Sequence, residues 1–122
     1  MKIVMALRPP YSQIAILDPT TKVEVPLWKK GVPFVATDTC ILCGCLAEMD
    51  GETEFTLATS DSVSIQHPPI FDDVLDTPGR KIALETVEGT PVLDMPTTGT
   101  KTRVRIWTNS DREPDKVVVG ID

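Results

Sequence analysis

In KTRVRIW, residues 101–107, Val104 and Ile106 alternate with Arg103 and Arg105. A period of two means an extended strand with one face in an apolar interior and the other in water, because successive side chains leave a pleated backbone on opposite sides. TKVEVPLW, residues 21–28, reads the same way, with Val23, Val25 and Leu27 set against Glu24 and Pro26. Working outward, similar short runs recur at 2–7 (KIVMAL), 12–17 (SQIAIL), 54–59 (EFTLAT), 62–66 (SVSIQ), 81–87 (KIALETV), 91–95 (PVLDM) and 116–121 (KVVVGI). Strand-terminating pairs separate them: Pro9-Pro10, Asp18-Pro19, Asp50-Gly51, Pro68-Pro69, Pro78-Gly79, Glu88-Gly89 and Thr98-Gly99. Asp50-Gly51 lies between two apolar runs and predicts a hairpin. Only PPIFDDVLDT, residues 68–77, has helical spacing, through Ile70, Phe71, Val74 and Leu75, and it predicts at most one short helix. The pattern predicts an all-β domain spanning 1–122, an antiparallel β-sandwich or flattened barrel of about eight to ten short strands.

Composition narrows the function. The 122 residues carry a formal net charge of −6, from 12 Lys and Arg against 18 Asp and Glu. That balance disfavours nucleic acid and anionic membrane, which attract basic surfaces, and favours a basic protein as the charged partner. The opening MKIVMALRPP has too short an apolar run for a signal peptide or a membrane span, so a cytoplasmic protein is expected. The odd number of cysteines, three, fits a reducing compartment better than a disulfide framework.

The densest cluster of potential chemistry is TDTCILCGCLAEMDG, residues 37–51. On a strand, Ile41, Cys43, Cys45, Ala47 and Met49 face one way, and Cys40, Leu42, Gly44 and Leu46 face the other. Both faces are apolar, as in a strand covered on both sides. Zinc normally takes four ligands in two spaced pairs, whereas this chain offers one cluster and a distant His67, so neither a metal nor a redox site is the leading reading. His67 precedes Pro68-Pro69 and has no nucleophile or carboxylate joined to it in a recognised motif, although Asp61, Asp72 and Asp73 are present. No phosphate-binding glycine loop or nucleophile elbow occurs either. The sequence points away from an enzyme and requires no cofactor.

Two acidic groups stand out as partner-binding candidates: Glu48, Asp50, Glu52 and Glu54 around the expected hairpin, and Asp72, Asp73 and Asp76 in FDDVLD. Neither has the ligand spacing of a calcium loop. An alternative interface is formed by Lys101, Arg103, Arg105 and Trp107, which point outward if Val104 and Ile106 point in, together with Trp28; Trp and Arg are enriched at binding hot spots. That face suggests a self-associating module, a homo-oligomer.

PPYSQIAILD, residues 9–18, adds a resemblance. Tyr11-Ser12-Gln13 leading into a short apolar strand that ends in Asp18, then Trp28 and Gly31, and a closing arginine-bearing strand TRVRIW, resemble the competence protein J family. Its members are small acidic β-sandwich proteins that inhibit a DNA-entry nuclease. The resemblance implies a non-enzymatic inhibitor or immunity protein whose acidic surface enters the basic cleft of a nuclease.

Overall fold

The computed structural model describes all 122 residues. Ten strands follow in order: β1 (Lys2–Leu7), β2 (Gln13–Leu17), β3 (Phe34–Ala36), β4 (Cys40–Gly44), β5 (Thr53–Thr59), β6 (Phe71–Asp76), β7 (Lys81–Thr86), β8 (Pro91–Pro96), β9 (Lys101–Thr108) and β10 (Lys116–Ile121). They form two five-stranded sheets, ordered β1-β5-β10-β9-β6 and β3-β4-β2-β7-β8. The architecture is therefore a sandwich of two open sheets. All pairings are antiparallel except β5 with β10, which run parallel side by side after the chain has travelled through β6 to β9. No helix is long and apolar enough to cross a membrane.

The period-two runs explain the core directly. Phe55 and Leu57 of β5, Val104 and Ile106 of β9, and Val117, Val119 and Ile121 of β10 meet Ile14 and Ile16 of β2, Ile41 and Cys43 of β4, and Ile82 and Leu84 of β7. Phe55, Ile14, Ile16, Ile41, Leu57 and Ile106 are wholly shielded from solvent, and each such side chain contributes about 2 kcal/mol by leaving water. A second, smaller apolar layer of Ala15, Leu17, Cys40 and Leu42 lies on the outer face of the β4-β2-β7 sheet, with Val23 and Val35 against it. This sheet is thus apolar on both faces, which accounts for the unbroken apolar run in β4.

Four sequence expectations are corrected. TKVEVPLW is not a strand: residues 18–33 form a strap across the outer face of the second sheet. The strap is pinned where the Glu24 amide donates to Thr39 Oγ1 (2.8 Å), where Thr37 Oγ1 donates to the Glu24 carbonyl (2.5 Å), and where the Gly44 amide donates to the Pro33 carbonyl (2.9 Å). Val23 packs inward as the alternation predicts, but beyond it the pattern fails, since Trp28 packs over Gly44 while Val25 and Leu27 stand 61% and 91% exposed. A side-chain carbon at Gly44 would lie 3.2 Å from Trp28 Cη2, so glycine is what lets the indole close down on β4. The run SVSIQ is also not a strand and passes over β10 near Gly120.

FDDVLD is strand β6 rather than a helix, because residues 71–76 find a complete antiparallel partner in β9, from Phe71 opposite Ile106 to Asp76 opposite Lys101. Pairing of this kind overrides a two-turn helical spacing that has nothing to pack against. Finally, Asp50-Gly51 does not close a hairpin. β4 and β5 belong to different sheets, and the chain crosses between them through a single 3-10 turn, Glu48–Asp50, followed by Gly51 at φ 144°.

Candidate partner-binding surface

The crossover from β4 to β5 places the first acidic group at one end of the sandwich. Glu48, Asp50, Glu52 and Glu54 are all exposed, and none enters an ion pair within the chain. Two backbone hydrogen bonds hold the β9–β10 connection beside them: the Leu46 amide donates to the Pro114 carbonyl (2.9 Å), and the Glu54 amide to the Asp115 carbonyl (2.8 Å). Exposed Glu113 and Asp115 thereby join the same end of the molecule. These two residues were not singled out in the sequence, where they lie about sixty residues from Glu54 with no motif to connect them.

The β1–β2 connection completes this end. A 3-10 turn at Pro10–Ser12 packs against the Glu48–Asp50 turn, the Cys45 amide donates to the Ser12 carbonyl (2.8 Å), and Arg8 Nη1 donates to the Glu48 carbonyl (3.2 Å). Tyr11 and Ser12 both occupy the left-handed region, at φ 61° and 57°. A side chain with a β-carbon costs about 1–2 kcal/mol there relative to right-handed backbone. The strain presents Tyr11 to solvent at 69% exposure, on the turn packed against the one that exposes Met49 at 85%. An aromatic ring and a thioether therefore project from the end that carries these carboxylates, which form no ion pair although Arg8 and Lys116 stand nearby.

The second acidic group differs in kind. Arg103 grips Asp72 through two 2.8 Å hydrogen bonds, and Lys101 Nζ lies 2.6 Å from Asp76 Oδ1. Hydrogen bonding to Arg103 holds the Asp72 carboxyl below its usual range, and the bond to Asp76 raises the Lys101 ammonium above its own. Arg105 Nη2 bonds Asp122 Oδ1 at 2.9 Å, and Ser60 also donates to that carboxylate. The Ser60 hydrogen bond, followed by the arginine, keeps Asp122 low. This outer face of the first sheet is a ladder of compensated charge; Asp73, opposite core-facing Val104, lies on the other side of β6 and has no cationic partner.

Trp107 lies on the outer face with Arg105, as expected once Val104 and Ile106 point inward, but it is covered rather than free. It is only 6% exposed, covered by the segment before Pro68, and its Nε1 donates to the His67 carbonyl at 3.0 Å. Arg105 lies over the indole, 5.9 Å from the ring centre. The His67 ring is exposed, with Nδ1 3.2 Å from the Pro68 carbonyl.

The three thiols are enclosed. Burial pushes Cys43 and Cys45 up to about 12 and Cys40 to about 11, so all are protonated near neutrality and poor nucleophiles. Ile41, Cys43 and Cys45 lie in the inner core and Cys40 and Leu42 in the outer layer, the two-faced division expected of β4.

The chain superposes over 98% of its length on 93% of ComJ from Bacillus subtilis, the inhibitor of the DNA degrading activity of NucA, with a TM-score of 0.70 and 15% sequence identity. It shares the ComJ fold. A product described as crocagin biosynthetic gene J is similar more distantly, with a TM-score of 0.51 and 9% identity over 98% of this chain and 94% of that one. No protein-family model matches the sequence, and no curated protein matches it significantly. The likeness thus covers the whole strand layout, and in this chain Tyr11 and Ser12 form the strained turn at the acidic end.

Proposed function

We propose that this protein is a non-enzymatic inhibitor of a nuclease, and that it binds through the acidic end built by Tyr11, Glu48 to Glu54 and Glu113 to Asp115. The observation that carries the reading is the set of four carboxylates, Glu48, Asp50, Glu52 and Glu54, left without ion-pair partners while Asp72, Asp76 and Asp122 are compensated. The fold-level likeness to an inhibitor of NucA supports the choice of a nuclease as partner.

The physical logic is substrate mimicry. A nuclease cleft must be electropositive to hold phosphates, so carboxylates projecting from a rigid end can occupy the positions of backbone charges and steer the encounter. Charge alone gives speed and sign, not a long-lived complex. Tyr11 and Met49 supply apolar contact within the acidic rim, in the manner of central interface anchors.

The reading is tested by titrating the protein into DNA cleavage by NucA and by the basic nucleases of the source organism. Stoichiometric loss of cleavage, relieved by Glu48→Lys, Asp50→Lys and Glu52→Lys together, is the expected result. Undiminished cleavage with every nuclease would overturn it.

A further inference from the structure

The two sheets have four edges, and an edge strand exposes unpaired backbone N–H and C=O groups that template pairing with another strand. Three edges are blunted. β3 has only three residues, β8 begins and ends in proline (Pro91 and Pro96) beside a register shift at Leu84/Glu85, and β6 carries Asp72, Asp73 and Asp76. β1 is the least protected, its one charge being Lys2 at its start. It is six residues long, contains neither proline nor acidic residue, and runs in unbroken register from Lys2 opposite Ala58 to Leu7 opposite Thr53. Val4 and Met5 along it are 51% and 45% exposed.

The direction of the free groups follows from the ladder. The Thr59 amide donates to the Met1 carbonyl (2.9 Å), so the backbone at Met1 faces β5. Alternation then turns Ile3, Met5 and Leu7 toward β5 and leaves Lys2, Val4 and Ala6 facing away. The same three residues lie opposite Ala58, Thr56 and Glu54 and share their outward sheet face.

We propose that β1 pairs antiparallel with β1 of a second copy, Val4 opposite Val4 on the twofold axis, to form an isologous dimer with one continuous sheet of ten strands, five from each copy. In this register the outward groups of Lys2, Val4 and Ala6 meet those of Ala6, Val4 and Lys2, completing about six hydrogen bonds. Charge selects the register. Centring the pair on Met5 would set Lys2 against Arg8, whereas centring on Val4 sets Lys2 against Ala6, behind which stands Glu54. Across the small alanine, Lys2 and Glu54 of the partner subunit are two strand spacings apart on one face, about 9–10 Å between backbones, within joint reach of the two side chains. Neither residue has an ion pair inside its own chain. The edge is consumed on pairing, so assembly closes at two.

Sedimentation velocity from about 1 to about 200 µM, the concentration range in which modest interfaces dissociate, tests the proposal. The mass is expected to rise from 13.4 kDa to twice that value. Val4→Pro removes only an amide that faces away from β5, and Val4→Lys places two ammonium groups together on the axis; each should raise the dissociation constant at least tenfold while circular dichroism stays unchanged. Lys2→Glu should weaken the dimer, and adding Glu54→Lys should restore it. A mass of 13.4 kDa at every concentration, or a dimer indifferent to both Val4 variants, would overturn the proposal.

Discussion

Arg103 and Asp72 form a fork across β9 and β6, Nε to Oδ1 and Nη2 to Oδ2, each at 2.8 Å. Because the two strands carry these charges on the same outer face, every carboxylate so held is lost as a free negative group. The fork therefore distinguishes the two acidic stretches of the chain more sharply than their similar composition does.

Asp72→Asn and Asp76→Asn are accordingly expected to leave nuclease inhibition unchanged. Exposed ion pairs contribute little to stability, so thermal melts should move by no more than a few degrees. A loss of inhibition comparable to that of the Glu48, Asp50 and Glu52 reversals would move the contact surface to β6.

Asp18 ends β2 as a buried carboxylate that ties the strap to the β6–β7 turn. Burial alone would raise its pKa, but hydrogen bonds from the Thr20 hydroxyl (2.7 Å), the Thr20 amide (2.8 Å) and the Gly79 amide (2.6 Å) outweigh it and hold the group below its usual range. A folded-state pKa below the unfolded value of about 3.9 means stability fully present above that pH and lost as pH falls through the folded value. Asp18→Asn should cost about 1–3 kcal/mol at neutral pH and flatten the acid limb of the melting profile. An unchanged acid limb would remove Asp18 as its source.

Tyr11 is expected to trade stability for binding. Tyr11→Gly removes left-handed strain of about 1–2 kcal/mol against about 0.5–1 kcal/mol of added chain entropy, so the melting temperature should hold or rise. The same substitution deletes the exposed ring and should raise the dissociation rate of the nuclease complex, most visibly at high salt where charge steering is screened. Unaltered dissociation would place Tyr11 outside the interface.

The cysteines should behave as core. With Cys43 and Cys45 pushed up to about 12 and Cys40 to about 11, none of the three should react with a disulfide reagent at pH 8 in the native protein, and all three should in denaturant. Cys43→Ser should cost about 1–3 kcal/mol by burying a hydroxyl. Rapid native labelling would contradict the two-sided packing of β4.

What could be read from the sequence was whatever local pattern alone decides. The alternation in β9 and β10 and the two apolar faces of β4 could be recognised because burial acts on each side chain in turn. TKVEVPLW carries the same alternation yet became a strap, since strand formation also needs a neighbouring edge and Pro26 withholds one ladder donor. FDDVLD was obscured in the opposite sense, its strand state being conferred by β9, thirty residues downstream. The acidic end was half visible: Glu48 to Glu54 are contiguous, but Glu113 and Asp115 arrive through backbone hydrogen bonds to Leu46 and Glu54, and the compensation of Asp72 and Asp76 depends on cross-strand register.

The most direct test of the central claim is the salt dependence of association between the protein and the nuclease proposed as its partner, measured by stopped flow for the wild type and for the combined Glu48→Lys, Asp50→Lys, Glu52→Lys variant. The account predicts that the reversals slow association by at least about tenfold at low salt, that the difference shrinks as ionic strength rises, and that the melting temperature stays within a few degrees of wild type. Equal association rates for the two proteins at low salt would contradict it.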